Sequence, residues 1–182
     1  MRKAKGSIFI PWVKAIKADK TGRYDDYLTQ EDKEVLSGLI LPSSWYSFET
    51  YKKFYKAVST VFAQNNPETL REVGKEYGKT IMSTIYKRAI QEGDPKQAME
   101  QFAFVFKSMF NFGRLNFEIV SNNEMLVFIE EFDPDFDVWY YVTIGWLEKF
   151  IELCLKKAVQ TQFTQKSWEG APLTQIKVTW DA

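Results

Sequence analysis

Five residues, Asp133-Pro-Asp-Phe-Asp137, place acids at the first, third and fifth positions of a calcium-binding loop. The sixth position of such a loop needs glycine and here is Val138. The twelfth needs glutamate and is Ile144. The ligand set is therefore incomplete, and the run reads as acids complementing a helix N-terminus, with Asp137 as its cap. Glu130, Glu131 and these aspartates are also the carboxylates that a histidine-free enzyme would use for acid–base work; a solvated acidic loop is the alternative. The one cysteine, Cys154, excludes an internal disulfide. It is either a small buried hydrophobe or a reactive or lipid-modified thiol, and only Lys149, Lys156 and Lys157 are near enough in sequence to activate it. Gly74 and Gly78 lie one helical turn apart without a following Lys-Ser/Thr, so they form no phosphate-binding loop. No metal site and no cofactor is expected. The chain contains no histidine, which removes histidine-based triads, histidine-ligated zinc and histidine-ligated haem.

Composition bounds the rest. A chain of 182 residues, 45% hydrophobic and 16% aromatic, suits one domain with a bulky core, and the same aromatic residues would line an apolar pocket. Lys+Arg and Asp+Glu balance at 24 each. With no basic excess beyond Arg2, Lys3 and Lys5, no nucleic-acid partner is expected. The run after them is broken by Pro11 and Lys14 and lacks a cleavage site, so it is not read as a signal peptide; the single cysteine fits a reducing, cytoplasmic setting.

These residues must be positioned by a small set of elements. The longest is the stretch Asp137–Lys157, long enough to cross a bilayer but charged in its second half, so no membrane span is expected. Trp139, Val142, Trp146, Phe150 and Leu153 recur at helical spacing, while Glu148, Lys149, Glu152 and Lys156 make a narrow wet stripe. Before it, the chain reads as helices: Ser7–Lys20; a short one after the capping box Thr29–Asp32; an aromatic one from Ser47 to about Gln64; one from Pro67 to about Gln91; and one capped by Asp94 and ending near Gly113. Leu41–Ser47 reads as a loop. Interior Gly74 and Gly78 cost about 1 kcal/mol each relative to alanine, which predicts a close approach there: another helix, a partner subunit, or a ligand against bare backbone. From Arg114 the period changes to two. Leu115, Phe117 and Ile119 alternate with polar residues, Ser121–Glu124 is a hairpin turn, and Met125–Phe132 returns as a central strand. Two further alternating strands, Val159–Lys166 and Thr174–Trp180, follow the long helix. The expected architecture is α+β: one domain, 1–182, with a mainly helical part, 1–113, packed on a four-stranded antiparallel sheet with an inserted helix, 114–182 (strand-strand-helix-strand-strand).

Lys5-Gly-Ser7, Leu41-Pro-Ser-Ser-Trp-Tyr46, Arg71-Glu-Val-Gly74, Ile144-Gly-Trp-Leu-Glu148 and Lys177-Val-Thr-Trp180 together resemble an uncharacterised bacterial family known from large sets of paralogues in myxobacteria. Its architecture is similar to haem NO-binding domains, four-vinyl-reductase-type domains and the small TRAPP vesicle-tethering subunits. The resemblance covers nearly the whole chain and implies the same helices and hairpin-helix-hairpin sheet. Relatives of this fold bind haem, small apolar molecules or acyl chains, or act as assembly subunits. Haem ligation through histidine does not carry over. The cysteines that four-vinyl-reductase-type domains carry near the final hairpin are absent from 165–174, and around that hairpin only Gly170 and Trp180 fit the pattern.

The functional expectation is a non-enzymatic cytoplasmic sensor or ligand-binding module for a small hydrophobic molecule, without haem. Tyr77, Ile81, Phe102, Phe106, Trp146 and Phe150 would line its pocket, between the helical and sheet halves, or equally fill a closed core. The alternatives are a protein–protein scaffold, a homodimer through the face bearing Gly74 and Gly78, and a carboxylate-based enzyme.

Overall fold

The change of period at Arg114 is a change of structure. In the computed structural model of the chain, residues 1–84 and 94–181 are described, with side chains for 1–80 and 94–181. Helices occupy the N-terminal half and a four-stranded antiparallel sheet the C-terminal half, an α+β fold. The chain forms two compact units, Met1–Asn66 with Ser108–Phe112, and Pro67–Lys107 with Gly113–Ala182. This boundary differs from the change of secondary structure at 113, because two of the helices cluster with the sheet.

In the first unit, β1 (Lys3–Lys5) leads directly into α1 (Gly6–Ala18). Later in the same chain, β2 (Trp45–Ser47) pairs antiparallel with β1, Lys3 opposite Ser47 and Lys5 opposite Trp45. The sequence reads this segment as loop because three residues are too few to show alternation. Pro11 lies inside α1. α2 (Gln30–Ser37) opens on the expected capping box: Thr29 Oγ1 accepts from the Asp32 backbone N–H at 3.3 Å, and Asp32 Oδ2 accepts from the Thr29 N–H at 2.8 Å. α3 (Phe48–Ala63) is capped by Ser47, as expected, and ends where Gln64 and Asn65 turn left-handed. The aromatic stripe of α3 is core except at its last member, Phe62, which is 69% exposed. Phe48, Tyr51 and Phe54 are buried with Phe9 of α1, and Phe48 and Tyr51 also pack on Phe110.

In the second unit, α4 (Pro67–Thr84) starts at the expected proline. The expected continuation to about Gln91 lies outside the described residues. α5 (Pro95–Met109) is capped by Asp94, whose Oδ1 accepts from the N–H groups of Lys96 and Gln97. β3 (Arg114–Ser121), β4 (Glu124–Glu130), β5 (Val159–Gln165) and β6 (Thr174–Trp180) form one sheet in the order β3-β4-β6-β5. β4 is central, as its apolar middle requires. Register pairs Val127 with Ile176 and Thr161 with Val178, stacking the buried side chains on one face.

α6 (Asp137–Leu155) joins the two hairpins. Its cap is Phe136, with no side-chain hydrogen bond; Asp137 is the first helical residue, not the cap. Asp133, itself buried, accepts the Asp135 N–H at 2.9 Å and so shapes the approach to the helix. The expected wet stripe is also narrower than its spacing suggests: Glu148 is 5% exposed.

Candidate functional site

Three glycines bring α4 and α6 into backbone contact. A Cβ on Gly74 would sit 2.0 Å from the Val142 carbonyl oxygen, and one on Gly145 would sit 2.0 Å from the Arg71 carbonyl oxygen. On Gly78 it would meet the Trp146 indole at 2.6 Å. The close approach predicted for Gly74 and Gly78 is thus to a helix of the same chain, and Gly145 completes it from the other side. Removing three Cβ atoms lets two helices pack at main-chain distance, which offsets the intrinsic cost of interior glycine.

This packing seats Trp146 among rings. Its centroid is 5.7 Å from Tyr77 of α4 and 4.7 Å from Phe102 of α5, and Phe102 is 5.3 Å from Phe150 of α6. Four of the six residues expected to line a pocket therefore share one cluster. Phe106 belongs to another, with Phe132 at 5.8 Å and Trp139 at 6.0 Å. The side chain of Ile81 lies outside the described residues. Trp146 is 7% exposed, and its Nε1–H is buried with no hydrogen-bond partner among the described residues. An indole N–H normally finds an acceptor when buried, so this is a donor held ready in an apolar setting.

One turn along the same helix pair lies a polar cluster. Glu148 Oε2 accepts from Arg71 Nη2 and from Thr161 Oγ1 at 2.7 Å, and its Oε1 pairs with Lys75 Nζ at 2.8 Å. Arg71 Nη2 also donates to the carbonyl and hydroxyl oxygens of Thr161 on β5. The cluster ties α4, α6 and the sheet edge together. Burial pushes the Glu148 carboxyl up, but the hydrogen bonds from Arg71, Lys75 and Thr161 outweigh it and hold it below the usual carboxylate range. The hydrogen bond to Glu148 pushes Lys75 up against its own desolvation. Beside Arg71 an open groove of about 300 Å³ runs past Pro67, Tyr141, Phe163 and Lys166, and Arg71 Nε, itself buried, has no partner among the described residues.

Arg71, Lys75 and Thr161 carry no signal as a site in the linear chain. The available hint was Glu148 between Trp146, Leu147, Phe150 and Ile151, an acid with apolar neighbours that needs cations from elsewhere. The other carboxylates are not gathered: among the described residues no group of three His, Cys, Asp or Glu side chains could hold a metal ion. Glu130 and Glu131 are drawn to Arg114. Cys154 is fully buried, and burial pushes its thiol up to about 11.

No family model and no curated protein matches the chain. Solved structures do. A Fe(II) unliganded H-NOX protein mutant from K. algicida aligns with TM-score 0.68 and 14% identity over 98% of this chain and 97% of that one. An oxygen-binding H-NOX domain related to soluble guanylate cyclases, in its oxygen complex, aligns with TM-score 0.63 and 16% identity over 98% and 95%. A trafficking protein particle complex subunit 3 from Naegleria fowleri, covalently bound to palmitic acid, aligns with TM-score 0.57 and 15% identity over 74% and 95%. The chain has the H-NOX/TRAPP-like fold. Its donor set does not fit a histidine- or cysteine-ligated haem: the sequence has no histidine, and its one thiol is buried and protonated.

Proposed function

We propose that this chain is a non-enzymatic, cytoplasmic ligand-binding or sensor module that takes a small hydrophobic molecule without haem. The carrying observation is the unpartnered Trp146 Nε1–H inside the ring cluster of Tyr77, Phe102 and Phe150. Rings supply apolar enclosure; one unsatisfied donor supplies orientation. The ligand is therefore an apolar body with a single hydrogen-bond acceptor. The likeness in fold to H-NOX proteins and to a palmitate-bound TRAPP subunit supports the class of activity by analogy. Membership of the bacterial family with myxobacterial paralogues, and kinship with four-vinyl-reductase-type domains, belong to the same proposal.

The test is native mass spectrometry of the purified protein, followed by unfolding and organic extraction. An apolar molecule released only on unfolding, and lost from Trp146→Phe, is the expected result. A clean apo mass, with no rise in melting temperature on adding fatty acids, sterols or retinoids, would overturn the reading.

A scaffold role draws on a different observation. Phe104 on α5 is 67% exposed beside a groove of about 460 Å³ that also includes Lys107, Gly113 and Leu115. A homodimer through α5 would bury Phe104 and leave Gly74 and Gly78 against α6. Concentration-dependent sedimentation that Phe104→Ser abolishes would establish it.

A further inference from the structure

The formal net charge of zero conceals a division between the two units. Within Met1–Asn66 and Ser108–Phe112 there are eleven Lys and Arg against seven Asp and Glu; the other unit carries the opposite excess. Six of the cations fall in the first twenty residues, where Asp19 is the only acid and is ion-paired to Arg23. Asp25 and Asp32 are likewise paired, with Lys33 and Lys53.

Beside these cations the chain exposes apolar side chains. Leu39 is 81% exposed, Leu41 48% and Trp45 39%. They are held in place by their neighbours. Ile40 between the leucines is buried, and the Gly6 and Ser7 N–H groups bond the Ser44 and Pro42 carbonyls at 2.9 and 3.0 Å. Tyr46 Oη accepts the Leu41 N–H at 2.8 Å. Ile40 is thus turned inward, and the flanking leucines are left exposed. Lys17 reaches the Gly38 carbonyl at 3.4 Å at one end, and Lys5 stands 4.2 Å over the Trp45 ring at the other. Exposed Lys14 lies one turn before Lys17 on α1. Two leucines and a tryptophan, fixed between lysines, match the two demands of a charged bilayer interface: apolar groups to enter the acyl boundary and cations to meet the headgroups.

We propose that the 38–45 segment and the exposed lysines of α1 form a peripheral docking surface for an anionic lipid bilayer. The exposed leucines distinguish this from a nucleic-acid surface, where phosphate contacts need cations but not aliphatic side chains. No described helix is long and apolar enough to cross a membrane, so the association is reversible and lies at the interface.

The experiment is co-sedimentation of the whole chain with vesicles of phosphatidylcholine alone and of phosphatidylcholine with about one-third phosphatidylserine. Binding is expected to the anionic vesicles only. It should fall about tenfold or more in Leu39→Ser/Leu41→Ser and in Lys14→Glu/Lys17→Glu, as loss of buried apolar area and of charge each require. Raising salt to about 0.5 M should release the unmutated chain, which tests the electrostatic half without any variant. No sedimentation with anionic vesicles, equal sedimentation with neutral ones, or binding unchanged in either variant would overturn the proposal. So would binding of a DNA duplex without binding of vesicles.

Discussion

Glu148 shows how one buried charge can organise three elements. Replacing it with Gln leaves Arg71 without a carboxylate and Lys75 with only Glu72, and because both cations are partly exposed the expected loss is about 3 kcal/mol in urea unfolding, the low end for a broken buried pair. The pH dependence has a definite sign. Glu148 has its folded value below the ordinary 4.5, so the stability it contributes is present above pH 4.5 and is lost as pH falls through the folded value. Acid titration of stability should therefore be flatter in Glu148→Gln than in the unmutated chain. The same stabilised ionised form makes Glu148 a poor proton donor at neutral pH. Cys154 gives a second residue-scale test. With its thiol pushed up to about 11, about one molecule in a thousand carries thiolate at pH 8, so disulfide reagents should label it only after unfolding. Rapid labelling of the folded protein would contradict its buried position.

At the scale of elements, the α4–α6 contact is the most demanding feature. Gly145→Ala would drive a methyl to 2.0 Å from the Arg71 carbonyl oxygen, where backbone faces backbone and no side chain can yield. The expected cost is about 3 kcal/mol or more, the upper end of overpacking penalties. Gly38→Ala is the control: its φ is −75° and its nearest neighbour would be at 3.4 Å, so denaturation should shift by less than about 0.5 kcal/mol. The capping box of α2 should behave like other N-caps, with Thr29→Ala costing about 1 kcal/mol.

Over the whole molecule, charge is distributed against its own total. A protein of net charge zero with one basic and one acidic unit should be retained on a cation exchanger at pH 7 and low salt, and Lys14→Glu/Lys17→Glu should elute earlier. Elution of both in the void would show that no local cationic surface is presented. The Trp146 cluster and the polar cluster both lie on α4 and α6 within one unit, so a ligand at the rings would be felt first by the helix pair that carries Arg71 and Glu148.

Elements and their ends were legible in the chain because they are set locally. Periods of 3.6 and two, the capping residues Thr29, Ser47 and Asp94, and the turn at Ser121–Glu124 act over a few neighbours, and the α+β order follows from them. The aromatic residues were legible as a set but not as groups: only packing separates Phe106 from the cluster around Trp146. Glu148 shares the charge and spacing of exposed Glu stripes, and what buries it is Arg71, 77 residues earlier, and Thr161, 13 later. Gly145 needs a helix opposite it before its missing Cβ has meaning. Trp45 meets Lys5 only because β2 returns to β1. Local sequence determined which elements form. Long-range pairing, which depends on surfaces from distant segments meeting, decided which charges are buried, which glycines are required and which apolar residues remain at the surface.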